Sequence, residues 1–257
     1  MMAATRDPVQ PPSRLLLLAE GRALWEAGAT LALWPLLQLA PRGDGHAVLV
    51  LPGLVASDIS TKLLRRYLQG RGYDAHGWGL GRNLGPRSGI ENGMVAKLES
   101  LHDQSGGKVS LVGWSLGGVY ARLLASRHPQ WVRSVVTLGS PFTGSARATN
   151  AWRIYEGVSG QSSIDPRRMQ HVQPTPSVPT TSIFSRSDGV VAWQCSVETT
   201  GPQAENIEVV ASHLGLGAHP AVLYALADRL AQPEGQWKPF DRGMWGPLIY
   251  PDPARPE

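Results

Sequence analysis

The pentapeptide Ala47-Val48-Leu49-Val50-Leu51 is apolar at every position and stops at Pro52-Gly53. A strand with one face in water alternates apolar and polar residues. An unbroken run suits a strand covered on both faces, as in a parallel sheet flanked by helices. The rest of the chain keeps the rhythm this requires. Helical spacing over 58–70 is followed by a short strand at 73–78 and a Gly-rich loop, Gly79 to Pro86. Helix is then expected over 90–104, strand over 109–112, helix over 116–128 up to Pro129, and strand over 132–138. After a break, strands are expected at 181–185 and 207–211 and a helix at 219–231. Strand and helix in alternation predict an α/β fold: a mostly parallel central sheet with helices on both faces, built from right-handed crossovers.

The breaks in this rhythm set the expected domain limits. Residues 1–45 form an N-terminal extension whose Leu- and Ala-rich part, 14–39, reads as a helix that ends or kinks near Pro35. Residues 46–232 form the main domain. Within it, 145–179 carries Pro166, Pro174, Pro176 and Pro179 with poor periodicity, which suits a small cap or lid. Residues 233–257, rich in Pro, Gly and Trp, read as an extended tail pinned to the body.

Composition narrows the function. The formal net charge is +4, and the 24 basic side chains are 20 Arg and 4 Lys, scattered with no run longer than a pair. Nucleic-acid binding needs such charge gathered on one element, so no nucleic-acid partner is expected. Glu20, Arg22 and Glu26 interrupt the N-terminal apolar stretch, and no signal-peptide cleavage pattern is evident, so a cytoplasmic location is the default. That stretch reads as a helix docked on the domain, with weak membrane-surface contact as the sharper alternative. The single Cys195 allows no intramolecular disulfide. Gly77, Gly79 and Gly81 do not complete a dinucleotide fingerprint and no Cys or His cluster has metal-ligand spacing, so neither cofactor nor metal is expected.

Chemistry concentrates at Gly113-Trp114-Ser115-Leu116-Gly117, a G-x-S-x-G match placed between an expected strand and an expected helix. A serine at such an apex needs small residues two before and two after it, so that strand and helix approach closely. It then sits at a helix N-terminus, whose dipole favours developing negative charge. The bland alternative is a helix N-cap serine. A hydroxyl needs a base to take its proton and an acid to orient the base. Asp188 follows the strand expected at 181–185, and His213 follows the one at 207–211. Both fall at the carboxyl edge of a parallel sheet, where such folds bind ligands. Asp165 is the second candidate acid, and His219, before Pro220, is the second candidate base, read instead as a helix cap. Leu116 and Leu54 are the candidate backbone donors for an oxyanion. Trp114 and Trp193 flank these residues and are candidate substrate-pocket walls.

Taken in order, Leu51-Pro52-Gly53, Gly113 to Gly118, Leu138-Gly139-Ser140-Pro141-Phe142, Ser187 to Val191 and Ser212-His213-Leu214-Gly215 resemble the α/β-hydrolase superfamily, and within it the bacterial lipases and esterases. The resemblance implies nucleophile Ser115, acid Asp188, base His213 and oxyanion donors Leu54 and Leu116. It also implies a mobile cap and a small-molecule or lipid ester substrate. Pro52 and Trp114 stand where many lipases carry His, which bears on substrate class and leaves the backbone donors in place. The expected function is a serine hydrolase of carboxylic esters. A thioesterase, amidase or acyltransferase on the same residues and a non-catalytic ligand-binding receptor are the alternatives.

Overall fold

The computed structural model describes residues 9–144, 147–161, 172, 174–243 and 246–256. Six strands form one sheet: β1 (Ala47–Leu51), β2 (Asp74–Gly77), β3 (Val109–Trp114), β4 (Val132–Leu138), β5 (Thr180–Phe184) and β6 (Ala204–Glu208), in the order β2-β1-β3-β4-β5-β6. Every pairing is parallel. The continuous apolar run of β1 resolves into two faces at period two. Val48 and Val50 enter one core with α4 (Lys62–Gly70) and α8 (Pro220–Leu230). Ala47, Leu49 and Leu51 enter the opposite core with α5 (Ile90–Ser105) and α6 (Leu116–Arg127). With both faces set in apolar cores, β1 favours an apolar side chain at every position, which is why it reads as it does.

Strand order makes the crevice. The chain leaves β1 through α4 to β2 on one side, then returns past β1 through α5 to β3 on the other. The loops after β1 and β3 therefore leave neighbouring strands in divergent directions, and a cleft opens between them at the carboxyl edge.

Two elements differ from the sequence expectation. The last strand is Ala204–Glu208, ahead of the apolar run that begins at Ile207. Its polar residues are carried into the sheet edge by partners. Asn206 exchanges hydrogen bonds with the backbone of Glu198, Glu205 takes Arg229, and buried Glu208 takes Arg186 and Arg255. Val209 to Ala211 then run on toward the carboxyl-edge loops. The single N-terminal helix is instead α1 (Arg14–Leu18), a 3-10 turn (Ala19–Arg22), α2 (Ala23–Ala32) and α3 (Trp34–Leu37). Gly21 weakens the first junction, and Pro35 lies in the first turn of α3, where its missing N–H costs nothing. No described helix is long and apolar enough to cross a membrane. Of the expected cap, α7 (Trp152–Ser159) is described, whereas 145–146, 162–171 and 173 lie outside the described residues.

Arg122 of α6 is fully buried. It pairs with buried Glu198, donates to the Val172 and Pro174 carbonyls at 2.7 and 2.9 Å, and lies 3.9 Å from the Phe142 ring centre. Removing one partner of such a pair strands the other charge out of water. Arg122→Met is expected to lower stability by about 3–5 kcal/mol, read from urea unfolding with an unchanged m-value.

Candidate active site

Strand β3 ends and α6 begins at Ser115, whose backbone has φ 54° and ψ −122°. A non-glycine residue in this region is strained by about 1–3 kcal/mol and persists only where its surroundings impose it. Here the imposition comes from close approach. A Cβ on Gly113 would overlap the backbone of Gly117 and Gly118, and one on Gly117 would overlap the Leu51 carbonyl. With no side chains to hold them apart, strand and helix close on each other and the turn is forced. The Ser115 N–H donates to the Leu138 carbonyl at 2.8 Å, which anchors the apex to β4. Its hydroxyl makes no capping bond to the helix that follows. The N-cap reading therefore fails, and the side chain is left at the cleft.

The loop after β1 lies against this turn. A Cβ on Gly53 would come within 3.2 Å of the Ser115 Cβ. Buried Asn83 splints the loop: its side-chain amide donates to the Pro52 carbonyl at 2.8 Å, its N–H to the Ala56 carbonyl, and its carbonyl accepts from the Val55 N–H at 2.7 Å. Val55 is itself held at φ 54°. Among the described residues, neither the Leu54 N–H nor the Leu116 N–H is committed to a partner. Sequence reading missed Asn83. Its only signal is a lone amide in the Gly79–Pro86 loop.

Asp188 and His213 meet at the far side of the cleft, on the loops after β5 and β6. Both are nearly fully buried. The Asp188 Oδ1 accepts the N–H groups of Val190 and Val191 at 2.8 and 2.7 Å, and Oδ2 lies 2.6 Å from the His213 Nδ1. The carboxylate thus folds its own loop and holds the imidazole. With the hydrogen on Nδ1, Nε2 is left as the acceptor. Burial pulls the His213 proton affinity down, but the Asp188 charge, its hydrogen bond and the charge of Glu20 outweigh it, and the net shift is upward. Trp114 ties this loop to the elbow. Its indole N–H donates to the His213 carbonyl at 3.0 Å, and the two rings are 6.5 Å apart. The Ser115 hydroxyl itself has no hydrogen-bond partner among the described residues.

Three further candidates remain. Trp193 stacks on Phe184 and carries the Arg186 guanidinium 4.1 Å from its ring centre, beside β5. His219 caps α8 by accepting the Ala221 N–H. Asp165 lies outside the described residues.

A further set of contacts was invisible in the sequence. The N-terminal segment crosses over both loops. Glu20, buried in the 3-10 turn, accepts the N–H groups of Gly189 and His213 on Oε1 at 2.7 and 2.9 Å, and that of Leu214 on Oε2 at 2.8 Å. Glu26 accepts the Ser212 N–H and hydroxyl, and Arg22 donates to the Ser187 carbonyl and hydroxyl.

Comparison with known proteins agrees with this fold. A family described as alpha/beta hydrolase fold matches residues 94–157. The mouse serine hydrolase BPHL is 30% identical over 127 residues, 45% of this chain and 42% of that protein. The human protein of the same name is 29% identical over 136 residues, 49% of this chain and 45% of that protein. The chain thus matches less than half the length of these relatives. Aspergillus fumigatus lipase B superposes with a TM-score of 0.58 at 15% identity, covering 75% of this chain and 53% of that one. A Bacillus licheniformis lipase superposes with 0.56 at 18%, covering 76% and 95%. Sheet topology and these matches agree in giving the chain the α/β-hydrolase fold.

The electrostatic balance at His213 is directly measurable. Its imidazole is expected to keep its proton to a pH above the ordinary 6.5, followed by NMR titration of the ring nitrogens. A value below 6.5 shows that burial outweighs Asp188.

Proposed function

We propose that the chain is a serine hydrolase acting on carboxylic esters through an acyl-enzyme. Ser115 is the nucleophile, His213 the base and Asp188 the orienting acid. The Ser115 oxygen attacks the ester carbonyl as its proton passes to the His213 Nε2. The N–H groups of Leu54 and Leu116 take the charge that develops on the carbonyl oxygen. His213 returns the proton to the departing alcohol, and water, activated the same way, releases the acid. The observation that carries this reading is an uncapped hydroxyl at a strained apex, with an Asp-bonded imidazole pinned to the same turn through Trp114. Serine–base hydrogen bonds are often loose until substrate aligns them, so the open Ser115 hydroxyl is compatible with it. The relatives named as serine hydrolases and the lipase folds favour the same class.

A panel of p-nitrophenyl esters set against thioesters and amides tests the bond type. Ester turnover is expected to exceed the others, and Ser115→Ala to lose at least about 10³-fold in kcat while remaining folded. Thioester preference moves the assignment to another class of acyl donor, with a thiol as leaving group. Retained turnover in the variant removes Ser115 from the mechanism.

The outer face of the N-terminal segment favours a lipid surface as partner. Leu15, Leu18, Leu24, Trp25, Leu31 and Leu36 project into solvent, Trp25 at 82% exposure. Glu20 and Glu26 turn inward, so the exposed charges of residues 9–42 are Arg14 and Arg42. An exposed apolar face that carries Arg14 and Arg42, with Arg242 and Asp241 at the groove beside Leu36, suits a bilayer surface with anionic lipid. The full chain is expected to co-sediment with phosphatidylcholine vesicles containing phosphatidylglycerol, and Leu24→Gln/Trp25→Gln to weaken this about tenfold or more, since each buried CH₂ contributes about 0.8 kcal/mol. Absence of binding, or self-association that the same double variant abolishes, overturns it.

A further inference from the structure

The two loops that carry Asp188 and His213 leave β5 and β6, and β6 is the last strand of the sheet. A loop at a sheet edge has a neighbour on one side only. The open side here is filled by the segment from Arg14 to Ala32, and the fit is specific. A Cβ on Gly189 would overlap the Leu16 carbonyl, and one on Gly215 would overlap the Glu26 carboxylate. One atom, the Glu20 Oε1, accepts both the N–H of Gly189, which follows Asp188, and the N–H of His213. A buried carboxylate is costly unless its lone pairs are filled, and Glu20 fills them with three backbone donors drawn from these two loops.

We propose that Glu20 is a positioning residue, whose carboxylate joins the backbone of the Asp188 loop to that of the His213 loop and so sets the imidazole against its acid. This rests on the hydrolase reading above. Glu20 touches no reacting atom. It acts through main-chain groups, and it adds a fixed negative charge beside His213. The charged groups around that imidazole are Asp188 from its own side of the sheet and Glu20 from the N-terminal segment, while Arg22 and Glu26 stand farther along the same loops at Ser187 and Ser212. The neighbouring Trp114 is neutral. Loss of the Glu20 charge lets the imidazole give up its proton at lower pH, which agrees in sign with the upward influence of Glu20 on His213.

The test uses the full chain with Glu20→Ala and Glu20→Gln, each checked for a cooperative unfolding transition. Glu20→Ala removes all three acceptor contacts. Glu20→Gln keeps one oxygen for the Gly189 and His213 N–H groups, removes the charge, and loses the acceptor for the Leu214 N–H. For Glu20→Ala the expected loss is about 10²-fold in kcat/KM, mostly in kcat, as for a catalytic group displaced by about 1 Å. Glu20→Gln is expected to fall between that variant and wild type, with the acid limb of its pH profile moved to lower pH. The His213 titration by NMR needs no substrate and is expected to move the same way in Glu20→Gln. If wild type hydrolyses nothing yet the titration moves, the hydrolase reading has failed and the link from Glu20 to His213 stands. If folded Glu20→Gln leaves both the titration and the acid limb where they were, or folded Glu20→Ala keeps wild-type kcat, the proposal is overturned. Should Glu20→Ala not fold, Glu20→Gln alone decides.

Discussion

The turn at Ser115 exists because β3 and α6 meet with nothing between them. Gly113 and Gly117 contribute no side chain to that junction, and the Leu51 carbonyl occupies the space that a Cβ on Gly117 would need. The neighbouring strands β1 and β4 are buried and hydrogen-bonded along their length, so the junction cannot relax by moving the sheet. Strain is therefore concentrated in one residue, and that residue's side chain is left over the cleft that the strand order opens.

Around this fixed point the structure gathers buried charge. Asp188 and Glu20 are each nearly out of water, and each is met by backbone N–H groups rather than by a counter-ion alone. Such donors belong to the chain and cannot diffuse away or titrate, so they fix geometry as well as satisfy charge. Asp188 spends one oxygen on its own turn and the other on His213, which explains how a residue before glycine is both turn former and acid partner. The Arg122–Glu198 pair shows the same economy on the other side of the sheet, with main-chain carbonyls completing the shell of the guanidinium.

How much of this was readable in the sequence follows from how local each signal is. The apolar pentapeptide of β1 and the glycines of the elbow describe constraints among residues close in the chain, and they located five strands closely. Strand β6 was displaced because Glu205, Asn206 and Glu208 look like loop residues until Arg229, the Glu198 backbone and Arg186 are seen to meet them. Asp188 and His213 could be placed because each follows a strand, a rule of chain order. Asn83 and Glu20 could not. A single amide among glycines, or a glutamate in a Leu-rich helix, looks the same whether its side chain points to water or into a loop far along the chain. Trp193 flanks the acid loop in sequence, yet its ring packs with Phe184 and Arg186.

The reach of the Glu20 contacts has a consequence for how the molecule matures. Its acceptor oxygens wait for donors 169 and 193 positions downstream. The N-terminal segment has these donors to seat on only where the loops after β5 and β6 stand side by side. Contacts of such long separation are slow to form and late to be rewarded. Completing the cleft thus requires contacts of far longer separation than those that shape the elbow.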